Sequence, residues 1–65
     1  MLTVNGKITP SPASQLLADF LTAAGFDPAR VVVELNDKIV LREQYQEVML
    51  SDGDILEIIT FVGGG

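Results

Sequence analysis

The spacing of apolar residues along the chain predicts one amphipathic helix between two groups of strands. Apolar side chains recur at helical spacing at Leu16, Leu17, Phe20, Leu21 and Ala24. Ser11 and Pro12 are residue types that favour the N-cap and the first position of a helix, and Gly25 favours the position after its end. We therefore expect a helix over residues 12–24, with its apolar stripe on a single face.

Five segments have the composition or the alternation of β-strands, and they span residues 1–4, 7–9, 31–36, 39–41 and 55–62. Asn5-Gly6 stands between the first two segments and favours a type I′ hairpin turn, because that turn needs positive φ at both central residues. Residues 42–47 are polar and predict an irregular segment or a single helical turn. A short apolar stretch at 48–50 then leads into a tight turn at 51–54.

The predicted element order is therefore β-β-α-β-β-β. A lone amphipathic helix must bury its apolar stripe on one face of a sheet, and the long last strand can pair beside the first. This order predicts an α+β protein with the β-grasp, or ubiquitin-like, fold: a mixed sheet of four to five strands with one main helix packed on one face. We expect one domain over residues 1–62 and a flexible glycine tail at 63–65.

Composition removes several classes of function from consideration. The chain of 65 residues has a net charge of −5, which argues against nucleic acid as a partner, since phosphates require a basic patch. It contains no cysteine and no histidine, so disulfides, thiolate zinc sites and histidine general bases are excluded. No apolar run approaches the ~20 residues of a membrane span, and the N-terminal residues do not resemble a secretion signal. We expect a cytoplasmic monomer without a membrane partner.

The nine carboxylates do not form a convincing active site. Asp52 and Asp54 resemble the start of a calcium loop, but the sixth position of that loop is Glu57 where glycine is required, so we expect both to cap a turn. Glu43 and Glu47 belong to a polar segment and suit a solvated face. Tyr45, the one tyrosine, is interpreted as an anchor of its loop on the core. The sequence therefore predicts a protein that is not an enzyme and binds no cofactor or metal.

The chemistry that remains is the terminal carboxylate of Gly65. A carboxylate at pH 7 is a poor electrophile and must be activated by another protein, in a site that excludes water. Gly63 and Gly64 give a narrow, extended tail that can enter such a site without side-chain clashes. The alternative is that the glycines are an inert, frayed end.

The strand before the tail also favours a partner. Leu56 and Ile58 share the face that we expect to contact the helix. The opposite face, which no second helix covers, is predicted to present Ile55, Glu57, Ile59 and Phe61, with Val32 and Glu34 beside them. Apolar residues next to acidic ones on an uncovered face are typical of a docking surface. We assign the partner interface to Ile59, Phe61 and Val62; the alternative is a small sheet with imperfect alternation.

Several stretches together resemble the ThiS family of thiamine-biosynthesis sulfur carriers: NGK, SQLLADFL, VVVELNDKIVLREQY, SDGDILEI and the terminal FVGGG. The resemblance covers essentially the whole chain, although Ser11-Pro12 stands where a threonine-led cap is common in the family. It implies that an adenylating enzyme uses magnesium-ATP to activate the Gly65 carboxylate. Sulfur from cysteine, delivered through a cysteine desulfurase, then gives a thiocarboxylate, which thiazole synthase accepts as its sulfur donor.

Three other functions stay open on the sequence. The small subunit of molybdopterin synthase shares the fold and the thiocarboxylate chemistry. A ubiquitin-like modifier would form isopeptide bonds with lysines of other proteins. A regulatory binding module would have no use for Gly64-Gly65, so that deleting them would change nothing.

Overall fold

The computed structural model of the chain describes residues 1–11 and 14–61. This part of the chain contains seven β-strands, one α-helix and two short 3-10 helices, Pro28–Arg30 and Arg42–Gln44. The strands are β1 (Leu2–Val4), β2 (Lys7–Thr9), β3 (Ser14–Leu16), β4 (Val31–Leu35), β5 (Lys38–Val40), β6 (Met49–Ser51) and β7 (Ile55–Thr60), and the helix is α1 (Leu17–Ala23).

Five of the strands form one mixed sheet in the order β2-β1-β7-β4-β5. β7 lies at its centre, parallel to β1 and antiparallel to β4. The predicted pairing of the last strand beside the first is therefore confirmed. The helix packs on one face through Leu17, Phe20 and Leu21, which share a single buried cluster with sheet residues such as Val33 and Leu56. The predicted mixed sheet with one main helix is confirmed.

The predicted start of the helix at residue 12 is wrong. Ser14–Leu16 is an extended strand that pairs antiparallel with β6, in a separate two-stranded sheet. The helix therefore begins at Leu17, and Leu16 is its N-cap with extended backbone and no side-chain cap. Ser11 lies well before this start, and Pro12 is outside the described residues.

Backbone carbonyls from a distant loop replace the predicted serine cap. The first N–H groups of a helix have no partner within the helix and must be satisfied elsewhere. Here the amide of Leu17 donates to the carbonyl of Val48 and that of Ala18 donates to the carbonyl of Tyr45, each at 2.9 Å. The apolar stretch predicted at 48–50 is thus the region that forms β6 and supports the helix start.

The helix also ends one residue before its predicted limit. Ala24, predicted to lie on the apolar face, is instead the exposed C-cap, and its amide still donates to the carbonyl of Phe20 at 2.9 Å. Gly25 follows with a positive φ of 88°, as expected after a helix end.

Tyr45 anchors its loop to the core, as the sequence predicted. Its side chain is only 3% exposed, and its hydroxyl donates to the carbonyl of Val31 at 3.4 Å. Burial raises the pKa of the Tyr45 phenol above its ordinary value of 10.0, and the nearby charge of Arg42 opposes this shift. The neutral phenol is therefore the form that the fold favours.

Two asparagines bind the central strand β7 through their side chains. Asn5 and Gly6 have φ of 50° and 83°, which confirms the predicted turn. The Asn5 side chain accepts from the amide of Ile58 at 2.7 Å and donates to its carbonyl at 3.1 Å, replacing a neighbouring strand where β1 has ended. Asn36 accepts from the amide of Ile55 at 3.0 Å. These contacts hold β7 in place on both sides.

Candidate functional site

Strand β7 alternates between the core and the surface. Leu56 and Ile58 are 0% and 5% exposed and lie in the core cluster with the helix. Ile59, by contrast, is 56% exposed, and Ile55 is 50% exposed. The predicted orientation of this strand is confirmed, with one set of side chains buried and the other presented to solvent on the face that the helix does not cover.

Neighbouring strands extend this surface across the sheet, because residues in register share a face. Ile59 is in register with Val32, Glu57 with Glu34, and Glu34 in turn with Ile39. On the other side, Ile55 and Ile8 are both in register with Thr3. We call this surface the outer face; it consists of Thr3, Ile8, Val32, Glu34, Ile39, Ile55, Glu57 and Ile59.

A groove adjoins the outer face where β7 ends. Its lining includes Val32, Ile39, Leu41 and Arg42, and Phe61 forms part of its wall. Phe61 is 58% exposed, yet its amide donates to the carbonyl of Arg30 at 2.8 Å, so its backbone is fixed. An exposed aromatic ring on a fixed backbone is well suited to anchor a partner, since little conformational freedom is lost on binding.

The structure thus brings two of the predicted interface residues, Ile59 and Phe61, to one end of the molecule. Val62 and the tail residues Gly63, Gly64 and Gly65 lie outside the described residues. Ile8 and Ile39 belong to the same surface and were not predicted, although they are 72% and 66% exposed. Both lie in three-residue strands, which are too short to show an alternating pattern.

The two aspartates of the 51–54 turn have different partners. Asp54 accepts from the amide of Ser51 at 2.7 Å, and Asp52 forms an ion pair with the N-terminal ammonium of Met1. The interpretation as a turn cap is confirmed for Asp54, whereas Asp52 binds the N-terminal ammonium and does not cap the turn.

Among residues 1–11 and 14–61, no group of three or more acidic, histidine or cysteine side chains could hold a metal ion. No helix in this part of the chain is long and apolar enough to cross a membrane.

A mixed five-stranded sheet, one helix on one face and an exposed apolar opposite face define a ubiquitin-like β-grasp domain. The ThiS family model matches residues 1–65. The sulfur carrier protein ThiS of Bacillus subtilis is 39% identical over 66 residues, which covers the whole of both chains. The chain therefore belongs to the ThiS family.

Two further comparisons agree with this assignment. The crystal structure of the thiamine biosynthesis protein (ThiS) of Geobacter metallireducens has a TM-score of 0.79 and 36% identity, and the match covers 98% of this chain and 97% of that one. A thiazole synthase of Paramagnetospirillum magneticum is 41% identical over 64 residues. That match covers 98% of this chain, which spans only 20% of the length of the synthase. The predicted fold is confirmed, as is the prediction of a sulfur carrier in thiamine biosynthesis rather than a catalyst.

Proposed function

We propose that the carboxylate of Gly65 is the group on which this chain carries sulfur, in the form of a thiocarboxylate. The observation that carries this proposal is the match of the whole chain, including its three terminal glycines, to the whole of a sulfur carrier protein. Among the described residues, the exposed apolar surface beside Phe61 supplies what such a carrier needs besides its tail, namely a place for a partner to bind.

The first step is activation by a partner. An adenylating enzyme binds magnesium-ATP, and an oxygen of the Gly65 carboxylate attacks the α-phosphate to give an acyl-adenylate and pyrophosphate. This chain would bind neither nucleotide nor magnesium, and its contribution is to deliver the carboxylate. Gly63 and Gly64 allow the tail to enter a narrow channel, because they add no side-chain volume.

The second step exchanges oxygen for sulfur. A persulfide generated by a cysteine desulfurase attacks the acyl carbon, and AMP leaves with the bonding electron pair. The product is an acyl disulfide, and a thiol reductant cleaves its S–S bond to leave the thiocarboxylate on Gly65. Attachment to the protein keeps the sulfur from diffusing away as sulfide and holds it at high effective concentration near its acceptor.

Thiazole synthase is the proposed acceptor of the sulfur. Two proteins named thiazole synthase, from Paramagnetospirillum magneticum and Magnetococcus marinus, each contain a segment similar to nearly all of this chain. A carrier domain within the same polypeptide as a synthase meets its active site at high effective concentration. The similarity supports thiazole synthase, rather than molybdopterin synthase, as the partner of this carrier domain. The cytoplasm is the compartment we propose for this exchange.

In each complex, Ile59 and Phe61 would bind the partner and Val62 would lead the tail into its active site. Affinity then comes from the outer face and the groove, while reactivity comes from Gly65. Binding and reactivity are separable, because Phe61 and Gly65 are different residues. The residues between them need only span the distance from the docking surface to the reacting centre.

Pyrophosphate release tests the activation step. The chain and an adenylating enzyme of this pathway are incubated with magnesium-ATP, and release is compared for the wild type, a variant lacking Gly65 and the substitution Phe61→Ala. We expect loss of Gly65 to abolish release and Phe61→Ala to raise the carrier concentration needed for half-maximal release. Unchanged release without Gly65 would show that activation does not depend on a carboxylate at position 65, since the shortened chain still ends in the carboxylate of Gly64.

A further inference from the structure

Two carboxylates stand side by side at the centre of the outer face. Glu34 of β4 and Glu57 of β7 are register partners on antiparallel strands, so their side chains project from the same face next to each other. Glu34 is half-buried and Glu57 is exposed. Like charges directly opposite each other destabilise a sheet, so this pairing opposes the stability of the isolated domain.

No cation of the described chain neutralises this pair. Within residues 1–11 and 14–61, the ion pairs are those of the N-terminal ammonium with Asp52 and of Arg30 with Asp27. Lys38 is close in sequence but is in register with Leu35, on the opposite parity of the strand. In the free domain, water therefore solvates the charges of Glu34 and Glu57, and no ion pair of the described residues includes them.

The surroundings of the pair are apolar. Ile39 of β5 is in register with Glu34, on the side of β4 that faces away from β7. The register pair of Val32 and Ile59 is two residues further along β4 and β7, on the same face. Of these, Ile39 and Ile59 are more than half exposed. A protein that covers these isoleucines also removes water from the two carboxylates, and burying charge without a partner is costly. An uncharged or acidic surface is thus a poor occupant of the outer face.

We propose that the outer face docks an apolar protein surface that presents an arginine to the Glu34–Glu57 pair. Arginine fits because its planar guanidinium has five donors in a fixed fork and can serve two carboxylates at once, whereas lysine is a point charge. The proposal rests on the proposed function, since it specifies the chemistry of the surface on the adenylating enzyme or the synthase that receives the carrier. Charge complementarity supplies selectivity, and the isoleucines supply contact area.

Removing both charges separates docking from folding. The double variant E34Q/E57Q keeps the size and shape of both side chains and removes their repulsion. It should raise the thermal midpoint of the free domain, while weakening binding to the adenylating enzyme or to thiazole synthase by at least about tenfold. A purely structural role of the two glutamates would instead lower stability and binding together.

The control variant is D19N/E47Q, which changes the net charge equally at exposed positions away from the outer face, on the helix and in the loop after Tyr45. We would titrate each variant against each partner at low and moderate salt. The control should bind as the wild type does, and E34Q/E57Q should show a weaker salt dependence. Equal binding of E34Q/E57Q and D19N/E47Q to both partners would overturn the proposal.

The titrations and the pyrophosphate assay together distinguish this failure from failure of the proposed function. If Phe61→Ala weakens binding while E34Q/E57Q does not, the carrier docks here without using the carboxylate pair. If Gly65 is not activated by the adenylating enzyme in the pyrophosphate assay, the proposed function itself is wrong. A partner whose interfacial arginine is replaced by lysine should bind the wild-type chain more weakly. If it binds with unchanged affinity, the fork geometry of arginine is not what the pair recognises.

Discussion

Ile58 and Ile59 offer a matched test of the two faces of the central strand. They are the same residue type at adjacent positions, yet Ile58 is 5% exposed in the core and Ile59 is 56% exposed on the outer face. Replacing each by alanine removes the same atoms from opposite sides of one sheet. We expect Ile58→Ala to act on stability and Ile59→Ala to act mainly on partner binding.

The structure sets the size of both effects. Truncating a buried isoleucine to alanine costs about 2–5 kcal/mol, because a cavity adds to the lost transfer energy. A domain of this length is stable by roughly 3–10 kcal/mol, so Ile58→Ala consumes much of the total. Full burial of isoleucine is worth about 1.5–3 kcal/mol. Since slightly less than half of Ile59 is already covered, its alanine variant should lose about 1 kcal/mol of stability.

The exposed part of Ile59 is available to a partner. Covering it would contribute about 1–1.5 kcal/mol, so Ile59→Ala should weaken docking by about five- to tenfold. Urea unfolding measures the first quantity, and titration against the adenylating enzyme measures the second. Ile58→Val, at about 0.5–1.5 kcal/mol, is the milder core variant if Ile58→Ala does not fold.

An exchange of roles between Ile58 and Ile59 would contradict this assignment of the two faces. Ile59→Ala that unfolds as readily as Ile58→Ala would mean that the outer face is part of the core. Ile59→Ala that binds both partners with wild-type affinity would remove Ile59 from the docking surface. Folded Ile58→Val should bind as the wild type does, which serves as the control for indirect effects.

Three further predictions follow from individual contacts. Asn5→Gly keeps the positive φ of the turn but removes both side-chain bonds to Ile58, so urea unfolding should show a loss of about 1–3 kcal/mol; no loss would contradict the bridging role. The free energy of unfolding should be constant below pH about 10 and fall as the pH rises through the raised pKa of Tyr45, because the unfolded chain releases the phenol proton first. Tyr45→Phe should flatten this decline. Absorbance of the one tyrosine reports its titration directly. Phe61→Ala should weaken docking more than it lowers stability, and equal binding would show that the ring is not an anchor.

Local signals in the sequence were sufficient for much of the fold. The Asn5-Gly6 turn was predictable because few residue types adopt positive φ, and β7 was predictable because its six residues show alternation. The start of the helix was not, since Ser11-Pro12 is a favourable local cap. The strand Ser14–Leu16 exists through pairing with residues about 35 positions later in the chain, a non-local contact that no local pattern reveals.

The candidate site divides in the same way. Strand parity correctly predicted that Ile59 lies on the surface that the helix leaves uncovered. Phe61, predicted for the same surface, is exposed in the wall of the adjoining groove, because β7 ends at Thr60. Ile8 and Ile39 could not be assigned to it, because their strands are short and lie at opposite edges of the sheet. The side-by-side arrangement of Glu34 and Glu57 depends on the register between β4 and β7, which the sequence does not specify.

Intact mass spectrometry after incubation with the adenylating enzyme, ATP and a cysteine-derived sulfur source tests the sulfur-carrier role most directly. We predict a gain equal to the exchange of one oxygen for sulfur, mapped to Gly65, absent when Gly65 is deleted, and reversed by thiazole synthase with its substrates. An unchanged mass, with the adenylating enzyme shown to be active on another carrier, would contradict the account.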